Sequence, residues 1–149
     1  MKEYSNNLPE ITLQLKQSTF IKVQIKSSLD AANVFRQVFE ETIGIYESMF
    51  ALYLNRANKT IGWFKISQGG LSGTVVDVRL ILKTGIECLA SGLIICHNHP
   101  SGNKQPSEPD IKITNKLKEG CKILDIQLLD HIILTEDSYS SFADQNLLN

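Results

Sequence analysis

The chain has 149 residues, of which 42% are hydrophobic and 21% charged, and its net charge is −1. This length and composition are typical of one soluble globular domain with a single core. The charge balance gives no support for nucleic-acid binding, since a phosphate backbone requires a basic surface. One predicted helix carries four lysines, but acidic residues interleave with them, which favours a solvated face: Lys112, Lys116, Lys118 and Lys122.

The sequence also bears on the compartment. Residues 1–9 are polar and contain no apolar signal-peptide core. The longest unbroken apolar run, residues 49–54, is far too short to span a membrane. The cysteines at 88, 96 and 121 are odd in number and form no Cys-x-x-Cys pair, as expected in a reducing environment. We therefore expect a cytoplasmic protein with no membrane partner.

The first half of the chain predicts two strands, a helix and a hairpin. Apolar and polar residues alternate over 11–15 and 19–25, which is typical of strands. Ser27 or Ser28 can cap a helix that runs to about Glu41, with an apolar stripe that includes Phe35 and Phe39. Residues 47–54 and 61–67 are apolar runs separated by a turn at 55–58, and together they predict an antiparallel hairpin.

The second half predicts a buried strand between two helices. Glycines at 69, 70 and 73 precede a helix over 79–91, and residues 93–96 form a short apolar strand. Ser107 is a plausible N-cap of a helix from Ser107 to about Lys122, and Asp110 takes the acidic position of a capping box. A strand over 126–134 and a short final helix over 139–145 complete the predicted elements.

Strands and helices mix without a regular βαβ repeat, and no linker or internal repeat divides the chain. We therefore predict an α+β fold, a mixed α/β/α sandwich built on a single mixed β-sheet flanked by helices. Residues 1–149 are expected to form one domain, with 1–42 as an N-terminal strand–helix extension of it.

The buried strand over 93–96 leads directly into His97-Asn98-His99. Side chains alternate along an extended segment, so both imidazoles should lie on one face. Ser107 and Asp110 follow where a proline-rich loop enters a helix. Two imidazoles and one carboxylate form a three-ligand set that leaves a fourth position for water, as in catalytic zinc sites.

His-x-His alone is a weak signal, and several other zinc folds use it. A His-x-His barrel hydrolase needs about 250 residues. The zinc deaminases require a Pro-Cys-x-x-Cys half, and the zincins a His-Glu-x-x-His helix, and this sequence contains neither.

The complete string, His97-x-His99 followed by seven residues and Ser107-x-x-Asp110, resembles the JAMM motif of the MPN (also called JAB) metallopeptidase family. The local form His97-Asn98-His99-Pro-Ser-Gly is similar to the RadC branch of that family. Residues 129–133, 140–142 and 78–79 continue the likeness, which covers roughly residue 43 to the C-terminus. The resemblance implies a JAB/MPN-like fold, which is also cytidine-deaminase-like.

The resemblance also implies a role for each site residue. His97, His99 and Asp110 would bind one Zn²⁺ per chain, which lowers the pKa of a bound water towards about 7. The family's motif includes a glutamate on an earlier strand, which falls on Glu47 here. Glu47 would act as general base and then acid, and Ser107 would donate a hydrogen bond to the oxyanion of the tetrahedral intermediate.

Each of these residues also has a simpler interpretation. Ser107 would serve equally well as an N-cap alone, and Asp110 as a carboxylate that favours the helix dipole. Glu87 and Glu108 compete with Glu47 by residue type, although the first lies inside a predicted helix and the second is free to face solvent. Three further residues are left outside the catalytic and ligand sets: Arg79 as solvated, Cys96 as core, and His131 as a core or supporting histidine.

The predicted function is therefore a zinc-dependent JAMM-type hydrolase that cleaves a peptide or an isopeptide-linked protein. The alternative is a non-catalytic metal-binding interaction module or a DNA-repair accessory protein, since the RadC family is associated with DNA repair. Longer RadC proteins carry a helical N-terminal region before this domain, whereas the residues before Glu47 here predict strands and one helix. A homodimer is compatible with the sequence.

Overall fold

A computed structural model describes residues 22–39, 42–69 and 75–149 of the chain. The predicted strand over 11–15, the first part of that over 19–25, and the glycines at 70 and 73 lie outside the described residues. Among the described residues, the strand pairing of residues 22–27 consists of a single bridge between Gln24 and Lys59.

The described residues form three helices and five strands. The helices are α1 (Ser28–Phe39), α2 (Val78–Glu87) and α3 (Glu108–Ile123). The strands are β1 (Ser48–Leu54), β2 (Thr60–Gln68), β3 (Gly92–Asn98), β4 (Gln127–Leu134) and β5 (Tyr139–Ser141). The predicted hairpin, the buried strand before the histidines and the helix after Ser107 are confirmed.

All five strands belong to one sheet, in the order β2-β1-β3-β4-β5. β3 and β4 are parallel, and the other neighbouring pairs are antiparallel. The predicted α+β fold with a single mixed sheet is therefore confirmed. In the pairing of β1 with β3, Met49 lies opposite His97, which brings the start of β1 beside the end of β3.

Helices cover both faces of this sheet, because alternate residues of the central strands point to opposite sides. On one side, α1 packs its buried residues, such as Phe35 and Phe39, against strand residues such as Phe50 and Cys96. On the other side, α2 and α3 pack through residues such as Ile81 and Leu117. The central strands β1 and β3 are buried along their whole length.

The predicted final helix over 139–145 is wrong. Residues 139–141 form β5, which pairs with Ile132–Leu134 of β4, and residues 142–146 form a turn. The side chain of Asp130 accepts hydrogen bonds from the Ser141 hydroxyl (2.6 Å) and the Ala143 backbone N–H (3.0 Å). These long-range contacts hold the segment extended against the sheet. The prediction of a helix rested on local propensity, which does not include such contacts.

Helix α2 ends earlier than the sequence suggests. Its C-cap is Cys88, and Leu89 adopts a positive φ of 55°, which terminates the helix. Helix α1 is described as far as Phe39, two residues before its predicted end. None of the helices in the described part of the chain has the length and apolarity needed to cross a bilayer.

Candidate metal centre

Four side chains from three separate parts of the fold converge at the end of β3. His97 lies in β3, His99 follows it, Asp110 lies in the first turn of α3, and Glu47 directly precedes β1. Each offers a ligand atom, and these four atoms all lie within 4.8 Å of one another. His97 Nε2 lies 2.8 Å from His99 Nε2, and the Asp110 carboxylate oxygens lie 3.2 Å and 3.4 Å from those two nitrogens.

The chain itself sets the protonation of the His99 ring. Its Nδ1 lies 2.6 Å from the backbone carbonyl oxygen of Asn103, which can only accept a hydrogen bond. The proton of neutral His99 therefore sits on Nδ1, and the lone pair on Nε2 faces His97 and Asp110. This tautomer is the one required of a metal ligand at Nε2.

Asp110 is fixed by the start of α3. Ser107 is the N-cap, and its backbone N–H donates to Asp110 Oδ2 (2.7 Å), while the Asp110 N–H donates to Ser107 Oγ (3.2 Å). This reciprocal capping box anchors the carboxylate that faces the two histidines. Capping uses a lone pair of the Ser107 oxygen, so its hydroxyl proton remains free to be donated.

The charges in the site oppose the effect of burial. Burial alone would raise the pKa of Asp110, but its contacts with His97 and His99 hold that pKa well below the usual range. The Asp110 carboxylate in turn raises the pKa of His99. Asp110 is therefore an anion at neutral pH. The lone pairs of the two neighbouring ring nitrogens repel its carboxylate unless a positive charge lies between them. A bound cation satisfies all three groups at once.

A third histidine lies behind the site. His131, on β4, is completely buried, and its Nε2 lies 2.7 Å from Nδ1 of His97. Its other nitrogen lies 2.6 Å from Thr114 Oγ1, and its ring stacks on Phe142 with a centroid distance of 4.4 Å. Burial lowers the pKa of His131 well below its ordinary value and thereby favours the neutral ring. His131 thus contacts His97 on the side away from Asp110.

The segment that carries Glu47 is tied to β3 by Asn98, the residue between the two histidines. The Asn98 side chain accepts a hydrogen bond from the Ser48 N–H (2.8 Å). It donates to the carbonyl oxygens of Tyr46 (2.7 Å) and Ile43 (2.6 Å). The backbone is therefore held on both sides of Glu47, at a constant offset from His97 and His99.

A cleft adjoins the four converging side chains. It has a volume of about 190 Å³ and is bordered by Glu47, His97 and Asp110. The rest of its lining is apolar: Met49, Val76, Pro109 and Ile113. The site is therefore accessible from solvent on a side that suits an apolar group.

The competing residues lie elsewhere. Glu87 pairs with Lys83 and Glu108 with Lys112, both on exposed helix surface. Arg79 is 91% exposed and pairs with Asp77. Cys96 is buried in the core on the α1 side of the sheet, opposite His97.

Sequence reasoning missed Thr114 and Asn98. Thr114 follows Asp110 by four residues, so the helical repeat places it on the same face, and this spacing was an available signal. Asn98 is a polar residue in a fully buried strand, which requires hydrogen-bond partners, but the sequence does not say which.

Comparison with known proteins agrees with this geometry. A family model described as a RadC-like JAB domain matches residues 25–147. The chain belongs to the RadC-like JAB domain family. The match includes all of the residues that converge at the end of β3.

Curated relatives carry the name UPF0758 protein. One from Flavobacterium johnsoniae is 46% identical over 124 residues, which is 83% of this chain and 53% of the relative. Another from Porphyromonas gingivalis is 45% identical over 103 residues, covering 68% and 45%. A third from Aquifex aeolicus is 34% identical over 127 residues, covering 85% and 54%. The chain spans about half the length of these relatives.

Two nitrogen donors, one carboxylate and a further carboxylate at the edge form a group that could hold one metal ion. In a member of the RadC-like JAB family, this makes the end of β3 the candidate functional site.

Proposed function

We propose that this protein is a zinc-dependent hydrolase of amide bonds, a peptidase or isopeptidase of the JAMM type, with one zinc ion per chain. The observation that carries the proposal is the convergence of Glu47, His97, His99 and Asp110 within 4.8 Å beside an accessible cleft. Capping, loop and strand contacts orient the ligand groups before any ion binds.

The donor set supports zinc. His97, His99 and Asp110 would supply two imidazole nitrogens and one carboxylate oxygen, and such a three-ligand set leaves a coordination position open. Bound there, zinc would supply Lewis acidity and lower the pKa of a coordinated water towards about 7.

Glu47 is suited to move the proton in this reaction. Its carboxylate lies close enough to the ligand atoms to accept a proton from a water held between them. The water oxygen would form a bond to the carbonyl carbon of the substrate, and Glu47 would pass its proton to the departing amine nitrogen. The carbon–nitrogen bond breaks as that nitrogen is protonated, which yields a carboxylic acid and an amine.

Ser107 is suited to stabilise the oxyanion. Its hydroxyl proton is not needed for capping, so it could be donated to the substrate oxygen as negative charge develops there. The apolar wall formed by Met49, Val76, Pro109 and Ile113 would receive a side chain of the substrate next to the scissile bond.

The test is Glu47→Gln in zinc-loaded protein, assayed on internally quenched peptide mixtures and on a lysine-linked isopeptide. The expected result is retained zinc and a loss of turnover of about 10²–10⁴-fold, because glutamine keeps the shape but cannot accept the proton. His97→Ala should lose zinc and activity together.

Glu108→Gln is the matched control, since Glu108 is an exposed glutamate at the same end of the molecule and its ion-pair partner within the described ranges is Lys112. Full turnover by Glu47→Gln with zinc in place would contradict the hydrolase mechanism. A wild-type protein that binds zinc and cleaves neither type of substrate would favour the non-catalytic metal-binding module.

A further inference from the structure

A continuous chain of buried contacts links the backbone of α3 to His97. Thr114 Oγ1 donates to the Asp110 backbone carbonyl (2.6 Å) and lies 2.6 Å from His131 Nδ1. The other nitrogen of that ring, Nε2, lies 2.7 Å from His97 Nδ1. Thr114, His131 and His97 are each at most 1% exposed, so water does not compete for these bonds.

The direction of every bond in this chain follows from counting protons. A hydroxyl has one proton, and that of Thr114 is donated to the Asp110 carbonyl oxygen, which can only accept. Thr114 must therefore accept a hydrogen bond from Nδ1–H of His131. An imidazole ring that carries its single proton on Nδ1 has a lone pair on Nε2, and this lone pair of His131 accepts from Nδ1–H of His97.

The result at the far end is a His97 ring whose lone pair lies on Nε2. That atom is the one that faces His99 and Asp110. His99 reaches the same tautomer differently, through a carbonyl oxygen in its own loop. The two histidines thus present two lone pairs 2.8 Å apart, an arrangement that a bound cation would stabilise.

We propose that Thr114 and His131 are positioning residues that hold His97 in the tautomer able to bind the metal ion. The inference rests on the metal binding in the proposed function and is independent of whether the protein hydrolyses amides. Stacking of His131 on Phe142 adds the fixed ring orientation that the relay needs.

The first test is the affinity for Zn²⁺ and Co²⁺, measured by competition with a chromogenic chelator. Thr114→Val keeps the shape of the side chain but removes the acceptor for His131 Nδ1–H, so both rings can exchange tautomers. Affinity should fall by about 10–100-fold, as is usual when a hydrogen-bond partner of a metal ligand is removed. Thr114→Ser, which keeps the hydroxyl, should restore it.

Thr84→Val is the matched control. The Thr84 hydroxyl makes the same kind of bond within a helix, to the Leu80 carbonyl (3.0 Å), but lies in α2 rather than at the metal centre. This control should leave metal affinity unchanged, even if it loses as much stability as Thr114→Val.

The second test needs no variant. Long-range ¹⁵N–¹H spectra of the zinc-loaded wild-type protein report which nitrogen of each histidine carries the proton. The expected signature is Nδ1–H for both His131 and His97. A proton on Nε2 of His131 would overturn the relay, whether or not Thr114→Val folds.

The outcomes separate this inference from the proposed function. Unchanged zinc affinity in a folded Thr114→Val variant would overturn the relay and leave the hydrolase proposal standing. Failure of the wild-type protein to bind zinc would overturn both.

Discussion

At the scale of single residues, the buried polar side chains in the described part of the chain have hydrogen-bond partners, with the exception of Ser67. Asp130 is an example outside the metal centre, since its carboxylate joins β4 to the segment after β5 through Ser141 and Ala143. Burial raises the pKa of Asp130, and hydrogen bonds from those residues and from the His131 N–H offset only part of the rise. A raised carboxyl pKa means that the folded state holds this proton more tightly than the unfolded chain does.

Asp130 should therefore make the protein less stable as the pH rises. The stabilisation that comes from protonated Asp130 is fully present below the pKa of the unfolded chain, about 3.9. It is lost as the pH increases through the raised pKa of the folded state. In Asp130→Asn, the amide oxygen can still accept both backbone N–H groups, and the amide nitrogen can donate to Ser141. Urea unfolding of both proteins should show that the variant gains stability relative to wild type from about pH 4 upward. The total gain should be about 1.4 kcal/mol for each unit by which the pKa of Asp130 in the folded state exceeds that in the unfolded chain. A constant difference across that range would contradict this prediction.

At the scale of elements, the site depends on how one connection is attached to one strand. The segment before β1 carries Glu47, and it is held against β3 by the three hydrogen bonds of Asn98. The orientation of that amide is determined by its partners, because a backbone N–H must donate and two carbonyl oxygens must accept. A side chain with the same shape but no donors cannot replace it.

Asn98→Asp should therefore be strongly destabilising. The carbonyl oxygens of Ile43 and Tyr46 would lose their donors and face a carboxylate, and each buried group left unsatisfied costs about 1–3 kcal/mol. Asn55→Asp is the matched control, because the Asn55 side chain accepts from the Ala57 and Lys59 backbone N–H groups in an exposed turn and donates to none of the described residues. Chemical unfolding should show a loss of at least about 2 kcal/mol for the first variant and within about 0.5 kcal/mol of wild type for the second. Equal effects would show that Asn98 does not hold this connection.

At the scale of the whole molecule, the candidate metal centre joins parts of the chain that are far apart in sequence. Its groups come from before β1, from the end of β3 and from the start of α3, and His131 of β4 supports them. An ion bound there would connect the sheet to α3, and it would bind the folded state in preference to the unfolded chain.

Zinc should therefore stabilise the protein against heat. At a free zinc concentration about 100 times the dissociation constant, the gain is about 2.7 kcal/mol, which corresponds to a rise in Tm of roughly 5–10 °C. Removal of the metal with a chelator should reverse the rise in calorimetry. The Tm of His97→Ala should not rise with zinc. If the Tm of the wild-type protein changes with neither zinc nor chelator, a structural link through the ion is contradicted.

Much of the fold and of the candidate site could be predicted from the sequence because the signals were local. The hairpin β1–β2 follows from two apolar runs and a turn, and the cap at Ser107 from a spacing of three residues to Asp110. The segment over 139–145 could not be predicted in this way, because its hydrogen bonds are made with β4 and with Asp130.

The amino-acid sequence by itself determined which groups can bind a metal ion. It also determined that His97 and His99 lie on one side of an extended segment. Both properties depend only on residue type and near neighbours in the chain. The resemblance to the JAMM motif indicated Glu47, but only the tertiary structure brings it beside the two histidines, because the pairing of Met49 with His97 arises between strands that are distant in the chain. The tertiary structure also decided the tautomer of His97, through contacts from Thr114 on α3 and His131 on β4. Hydrogen bonds between remote residues form only after the sheet and helices have packed, so no local pattern in the sequence records them.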